Sequence, residues 1–332
     1  MGRERRMKDR ARRRTNMLMK RREVKGLTDT SPDPVDIEEE MYTSEESEGE
    51  VEKWTKTRDN LISESKEVFE DVKEEYRSIA AVYRRMLDWR KNFHRQYKDA
   101  YVTLSLPRLL APYVRHEIIG WDPLVDGQAV ENMQWCMALF QEDPDGGDEE
   151  DDKLIPSIVA EVVCPQVKDI LNTGWDPSST GTTQRVSGFM EDILIYLTET
   201  HPDAAKSLCN ELCNCLTMEL ERHSAALGVL SKGDCPARAA YKAGRSSFLK
   251  CCKIIKNACM FKDLIKADSL QAITVKAATK EMLLPFLQVL RAQSSQDASV
   301  LSKVLWDSFP SEWRGLSDLQ PLEAFRKAIT SA

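Results

Sequence analysis

Glycine and proline are both scarce, 14 residues each in a chain of 332. So little of either excludes a collagen-like chain, and with few β-branched runs it argues against an all-β sandwich. No apolar run approaches the roughly 18 residues that cross a bilayer, so no membrane span is expected. The N-terminal MGRERRMKDRARRR leads into no apolar stretch, which excludes a secretory signal. Without secretion, the nine cysteines are expected as reduced thiols.

Catalytic signatures are missing as well. There is no Gly-x-Gly-x-x-Gly, no P-loop and no Gly-x-Ser-x-Gly elbow. His116-Glu117 opens like a zinc-protease helix, but Gly120 stands where the second histidine must be. Cys209 and Cys213 share a helix face, while Cys215 lies on the opposite side. His223 is about 21 Å along an unbroken helix from Cys209. These groups cannot converge on one ion, so the cysteines read as small core residues. The sequence therefore points to no enzyme, cofactor, metal or small-molecule substrate.

What is present is charge, in blocks. The formal total of −7 hides residues 3–25, with twelve Lys/Arg against three acids. Arg10, Arg12, Arg13 and Arg14, then Lys20, Arg21 and Arg22, read as a nuclear import signal or a phosphate contact. The plainer alternative is a solvated basic arm. Residues 26–52 follow with eleven acids and no Lys or Arg, almost without apolar content, so this linker is expected to be disordered. Thr43 and Ser47 each precede a glutamate by three positions and would suit an acid-directed kinase. A second acidic run, residues 142–152, carries eight acids and reads as an exposed interhelical loop without the register of an EF-hand. Beyond the basic arm, the chain reads as having no concentrated positive patch.

The remainder has helical periodicity, and the class is all-α. From Asn60 to about Phe93 apolar residues recur every three or four positions, unbroken by proline or glycine, which predicts one long helix. Val68, Val72, Tyr76, Ile79 and Tyr83 would form its stripe, packed on the body or open to a coiled-coil partner. Pro107 and Pro112 are each expected to start a short helix. Further helices are expected near 184–199, 203–225, 236–263, 269–292, 297–308 and 318–330. The predicted organisation is a disordered arm and linker over 1–57, the long helix over 58–95, and an irregular antiparallel, repeat-like helical array over 96–332.

One pattern recurs. Pro112 to Pro123, ending Gly120-Trp121-Asp122-Pro123, resembles Pro165 to Pro177, ending Gly174-Trp175-Asp176-Pro177. The second copy has one extra residue. A helix stopped by glycine, a tryptophan folded back on the core and a proline opening the next segment would make two similar units. Pro107, Trp121, Pro123, Trp175 and Pro177 are thus expected as structural anchors.

Several of these segments resemble a known family. Ser65-x-x-Val68-Phe69-x-Asp71-Val72, Tyr97-Lys98-Asp99-Ala100-Tyr101, Leu106-Pro107-Arg108-Leu109 and Trp121-Asp122-Pro123-Leu124 resemble the GC-rich sequence DNA-binding factor-like (GCFC) family. The likeness continues through Glu131-Asn132-Met133-x-Trp135, Leu154-Ile155-Pro156, Cys164-Pro165 and Phe309-Pro310-x-x-Trp313. It is specific over 58–177 and looser over 180–300. Residues 203–260 depart from the pattern in being cysteine-rich. The resemblance implies a non-enzymatic nuclear protein of the late, intron-lariat stage of the spliceosome, beside a G-patch protein and a DEAH-box helicase. Its alternative implication is a transcriptional regulator or chromatin adaptor. RNA or DNA would be met through the basic arm.

Overall fold

The computed structural model describes residues 48–125, 128–142, 152–230, 237–281 and 283–330. The basic arm, most of the acidic linker and residues 143–151 of the second acidic run lie outside the described residues. So do the phosphorylation candidates Thr43 and Ser47.

Among the described residues every regular element is helical, as the periodicity predicts. In chain order these are α1 (Glu48–Ser65), α2 (Ile79–Asn92), α3 (His94–Asp99), α4 (Val102–Ile118), α5 (Gln134–Glu142), α6 (Leu154–Ile158) and α7 (Cys164–Thr173). They are followed by α8 (Thr180–Leu197), α9 (Pro202–Leu230), α10 (Ala237–Ala258), α11 (Ala267–Lys276), α12 (Leu283–Gln293), α13 (Ser295–Asp307) and α14 (Gln320–Thr330). α2 packs on α4 and α5, and α4 on α6. α9 and α10 lie along one another, with α8 against both, and α12, α13 and α14 pack in sequence. A single buried core runs from Ile79 to Ile329 through all of these layers.

The stretch expected as one helix from Asn60 to Phe93 is two. α1 stops at Ser65, and two 3-10 turns, Lys66–Phe69 and Glu74–Tyr76, separate it from α2. The cause is local. Ser78 takes an extended conformation, and its Oγ accepts the Ala81 N–H at 3.2 Å, capping a new helix. Phe69 is meanwhile drawn onto α4, where its ring stacks on Tyr113 at 5.0 Å. The five-residue stripe is broken accordingly: Ile79 and Tyr83 are in the core, Val72 is half-buried, and Val68 and Tyr76 are exposed.

Pro107 and Pro112 do not start separate helices either. α4 passes through both. An interior proline costs a helix about 3 kcal/mol. Here Leu106, Leu110, Val114 and Ile118 are almost wholly buried along one face, and each is worth about 1.5–3 kcal/mol. The apolar face outweighs the prolines. Elsewhere π turns at Val159–Val163 and Ala277–Glu281 stand just upstream of Pro165 and Pro285. The second of these splits the helix expected over 269–292. A proline has no N–H for the preceding turn, and the wider π turn absorbs the lost bond.

Candidate interaction site

Two junctions of the same construction position the surfaces of the N-terminal half. At the first, the Trp121 N–H donates to the Ile118 carbonyl at 3.2 Å; at the second, the Trp175 N–H donates to the Ile170 carbonyl at 3.1 Å. The extra residue of the second copy is thus taken up as a wider helix end. Asp122 Oδ1 accepts the Leu124 N–H (3.1 Å) and Asp176 Oδ1 accepts the Ser178 N–H (2.9 Å), so each aspartate closes a turn over its own proline. Trp121 meets the Phe189 ring edge-on at 6.5 Å, and Trp175 meets Phe261 at 5.8 Å. Their indole N–H groups donate to the Gln128 carbonyl and to Thr183 Oγ1, both at 3.2 Å. Pro123 and Pro177, next but one to the tryptophans, are buried, as is Pro107 in the first half of α4.

The segment after the first junction is held by two carboxylates from different helices. Glu117 of α4 accepts the N–H groups of Gln134 (2.6 Å) and Trp135 (2.8 Å), capping α5 across the chain. Asp192 of α8 accepts the Val130 N–H at 2.6 Å. Burial raises the pKa of both carboxyls, and the backbone N–H donors partly offset it. Both carboxylates are taken up by backbone N–H groups, so these are structural clips.

Residues 66–78 form a strap across α4. Phe69 sits between Tyr113 and His116, and His116 Nε2 is 2.6 Å from the Ser65 carbonyl. The Tyr113 hydroxyl donates to the Tyr76 carbonyl, and Glu75 pairs with Arg85 of α2. His116 is therefore a packing histidine under the strap. α1 projects beyond it, with Trp54 and Leu61 more than half exposed and Arg58 lying over the Trp54 ring at 5.2 Å.

Burial governs the eight described thiols; Cys235 lies outside the described residues. Burial pushes Cys136, Cys251 and Cys259 up to about 12, and Cys164 and Cys215 to about 11. Cys252 is pushed well up, and Cys209 and Cys213 are raised for the same reason. A thiolate at neutral pH, the form that attacks or binds metal, is disfavoured at all of them. Among the described residues no group of His, Cys, Asp and Glu is arranged to hold a metal ion, and no helix is long and apolar enough to cross a membrane.

The structure also exposes a surface that the block-by-block count of charge passed over. From Arg84 to Lys98 the chain carries six Lys/Arg and one acid, Asp88. The signal was legible: basic residues alternate with Trp89, Phe93 and Tyr97 through this stretch. It was hidden by the assignment of 60–93 to one partner helix. Of the partner-helix residues, Ile79 and Tyr83 lie in the buried core, in the part of α2 that precedes this surface. The import and phosphate-binding candidates Arg10, Arg12, Arg13, Arg14, Lys20, Arg21 and Arg22 all lie outside the described residues.

Comparison with known proteins bears on the same region. Residues 79–156 match the family of GC-rich sequence DNA-binding factor-like proteins, from the first residue of α2 into α6. The mouse PAX3- and PAX7-binding protein 1 is 32% identical over 190 residues, 56% of this chain and 20% of that protein. The mouse Intron Large complex component GCFC2 is 28% identical over 177 residues, 51% of this chain and 22% of that protein. The Arabidopsis thaliana Transcriptional repressor ILP1 is 28% identical over 255 residues, 70% of this chain and 27% of that protein. The chain thus spans about a fifth to a quarter of the length of these relatives. Their names describe a binding protein, a complex component and a repressor, and none names a catalytic activity. Residues 79–156, from α2 through the first junction and α5, are thus similar to the family that the Tyr-Lys-Asp-Ala-Tyr, Leu-Pro-Arg-Leu and Trp-Asp-Pro-Leu motifs resemble.

Proposed function

We propose that this chain is a nuclear, non-catalytic helical scaffold of pre-mRNA splicing, acting at the intron-lariat and disassembly stage of the spliceosome. The observation that carries the reading is the match, over half of the chain, to a relative named as an intron large complex component. The helical body supports it, since its described outward features are apolar and charged helix faces. The partners proposed are spliceosomal proteins, among them a G-patch protein and a DEAH-box helicase. The basic arm would supply nuclear import and sequence-independent phosphate affinity.

Purification of the tagged chain from nuclear extract, after nuclease treatment, tests the proposal. Late spliceosomal proteins should remain bound, and untreated samples should also hold excised lariat. Recovery of chromatin factors alone would instead favour transcriptional regulation. That second reading draws support from the repressor relative, whose match covers 70% of the chain.

A further inference from the structure

We infer that the corner between α2 and α4 is a binding surface for single-stranded RNA, distinct from the basic arm. The inference rests on the splicing reading only for the choice of RNA; the chemistry stands on the surface itself.

The corner runs from Trp89 to Tyr101. Trp89 closes the last turns of α2, Phe93 follows it, α3 carries the chain across, and Tyr101 opens α4. Phe93 is 55% exposed and Tyr101 70%, and Trp89 shows its outer edge while its inner edge meets Tyr97 at 5.8 Å. Lys91, Arg95 and Lys98 stand exposed between these rings. Arg95 approaches Asp99 at 3.7 Å, but both side chains are largely solvated, and such pairs are weak. Glu142, where the acidic run begins, pairs with Arg84. That pair lies about 7 Å of helix before Trp89, where the corner begins.

Tyr101 is the most telling member. Its φ of 52° makes it the one non-glycine residue with positive φ among those described. That conformation is disfavoured for a residue with a Cβ. Asparagine or glycine would lessen the cost, and an exposed ring returns nothing through packing. A strained backbone that presents an aromatic ring to solvent fits a ligand that uses the ring.

Exposed rings spaced along a cationic path are what an unpaired strand requires. Bases stack on the rings and phosphates run along the lysines and arginines, without sequence readout. A duplex hides its base faces and could use only the charges. A protein helix would gain from the rings but would need acids placed along the same lysines and arginines, whereas RNA supplies a phosphate with every base, so RNA is the better match.

The test uses the whole chain and a labelled single-stranded RNA of mixed sequence. Ultraviolet cross-linking followed by peptide mapping should place cross-links on peptides covering 89–101 as well as on the arm. Phe93→Ala with Tyr101→Asn should weaken binding by about tenfold or more and remove the 89–101 cross-links. Asparagine tolerates the left-handed conformation, and circular dichroism verifies the fold. Lys91→Glu with Arg95→Glu, at exposed positions, gives an independent variant. It should flatten the salt dependence by about 0.7 in slope for each phosphate no longer neutralised. Cross-links confined to residues 1–25, with affinity unchanged in both variants, would overturn the proposal and leave the rings to a protein partner. Equal loss of duplex RNA binding in the aromatic variant would also overturn it, as would tighter binding of matched single-stranded DNA. None of these results depends on co-purification with the spliceosome, so the two readings fail separately.

Discussion

Leu124, in the turn that follows the first Trp-Asp-Pro, packs directly on Gly174, the residue that opens the second. A Cβ on Gly174 would stand 3.1 Å from Leu124 Cδ1 and 3.2 Å from the Ile170 carbonyl. The two copies of the motif are therefore in contact, and the Arg185 guanidinium reinforces the join by donating to the Leu124 carbonyl at 2.9 Å. Gly120, the matching residue of the first copy, has only the Glu117 carbonyl at 3.9 Å. The same glycine thus serves packing in one copy and merely ends a helix in the other.

Gly174→Ala should therefore destabilise the fold by about 1–3 kcal/mol, the usual cost of overpacking, while Gly120→Ala should have a smaller effect. Adding Leu124→Ala to Gly174→Ala should recover part of the loss, leaving the share due to the Ile170 carbonyl. Urea denaturation of the four proteins in a double-mutant cycle measures the coupling. Strict additivity would show that the two copies do not touch in solution.

Trp121 and Trp175 are both less than a tenth exposed, and each meets a phenylalanine of a later helical element. Trp121→Ala and Trp175→Ala should each cost about 3–5 kcal/mol, read as a fall in denaturation midpoint. The edge-on contacts predict that Phe189→Leu costs less than Trp121→Ala, because the aliphatic residue still fills most of the space.

The Glu117 and Asp192 clips carry a pH dependence of definite sign. Burial raises both carboxyls above their ordinary values in the folded state. The folded chain thus holds these protons more tightly than the unfolded chain does. Their contribution to stability is full at acid pH and is lost as pH rises through the folded-state values. The wild type and Glu117→Gln/Asp192→Asn should be compared by urea midpoint from pH 4 to 7. The wild type minus variant difference should move against the wild type as pH rises. A difference that moves the other way would mean that the N–H donors of Val130, Gln134 and Trp135 outweigh the burial.

The all-α class, the helices near 184–199 and 203–225 and the repeated junction could be read from periodicity, proline and the Gly-Trp-Asp-Pro spacing, because each is decided within a few residues. What could not be read was decided at long range. Phe69 leaves the helical register because Tyr113 and His116, far along the chain, offer it a place. α4 tolerates Pro107 and Pro112 because its apolar face is buried by helices that the local sequence does not name. The candidate surface was lost for a related reason. Treating 60–93 as one helix assigned Tyr76, Ile79 and Tyr83 to a partner and drew attention away from the basic and aromatic residues just beyond them.

That stripe gives a clear division between core and surface. Ile79 is 9% exposed and lies in the buried core, whereas Val68 is 56% exposed in the strap. A carboxylate at position 79 would be buried without a partner, so Ile79→Asp should strongly destabilise or unfold the chain. Val68→Asp should leave the denaturation midpoint nearly unchanged, and Val72→Asp, at a half-buried site, should fall between the two. Had the five residues formed one exposed partner stripe, all these changes would spare the fold and abolish association together. With the chain divided at the strap, only the Val68 change can report on a partner without disturbing the core. A folded Val68→Asp protein that loses its nuclear partners would mark the strap and the projecting α1 as a contact surface. A folded one that keeps them would move the search to the other exposed faces of the body.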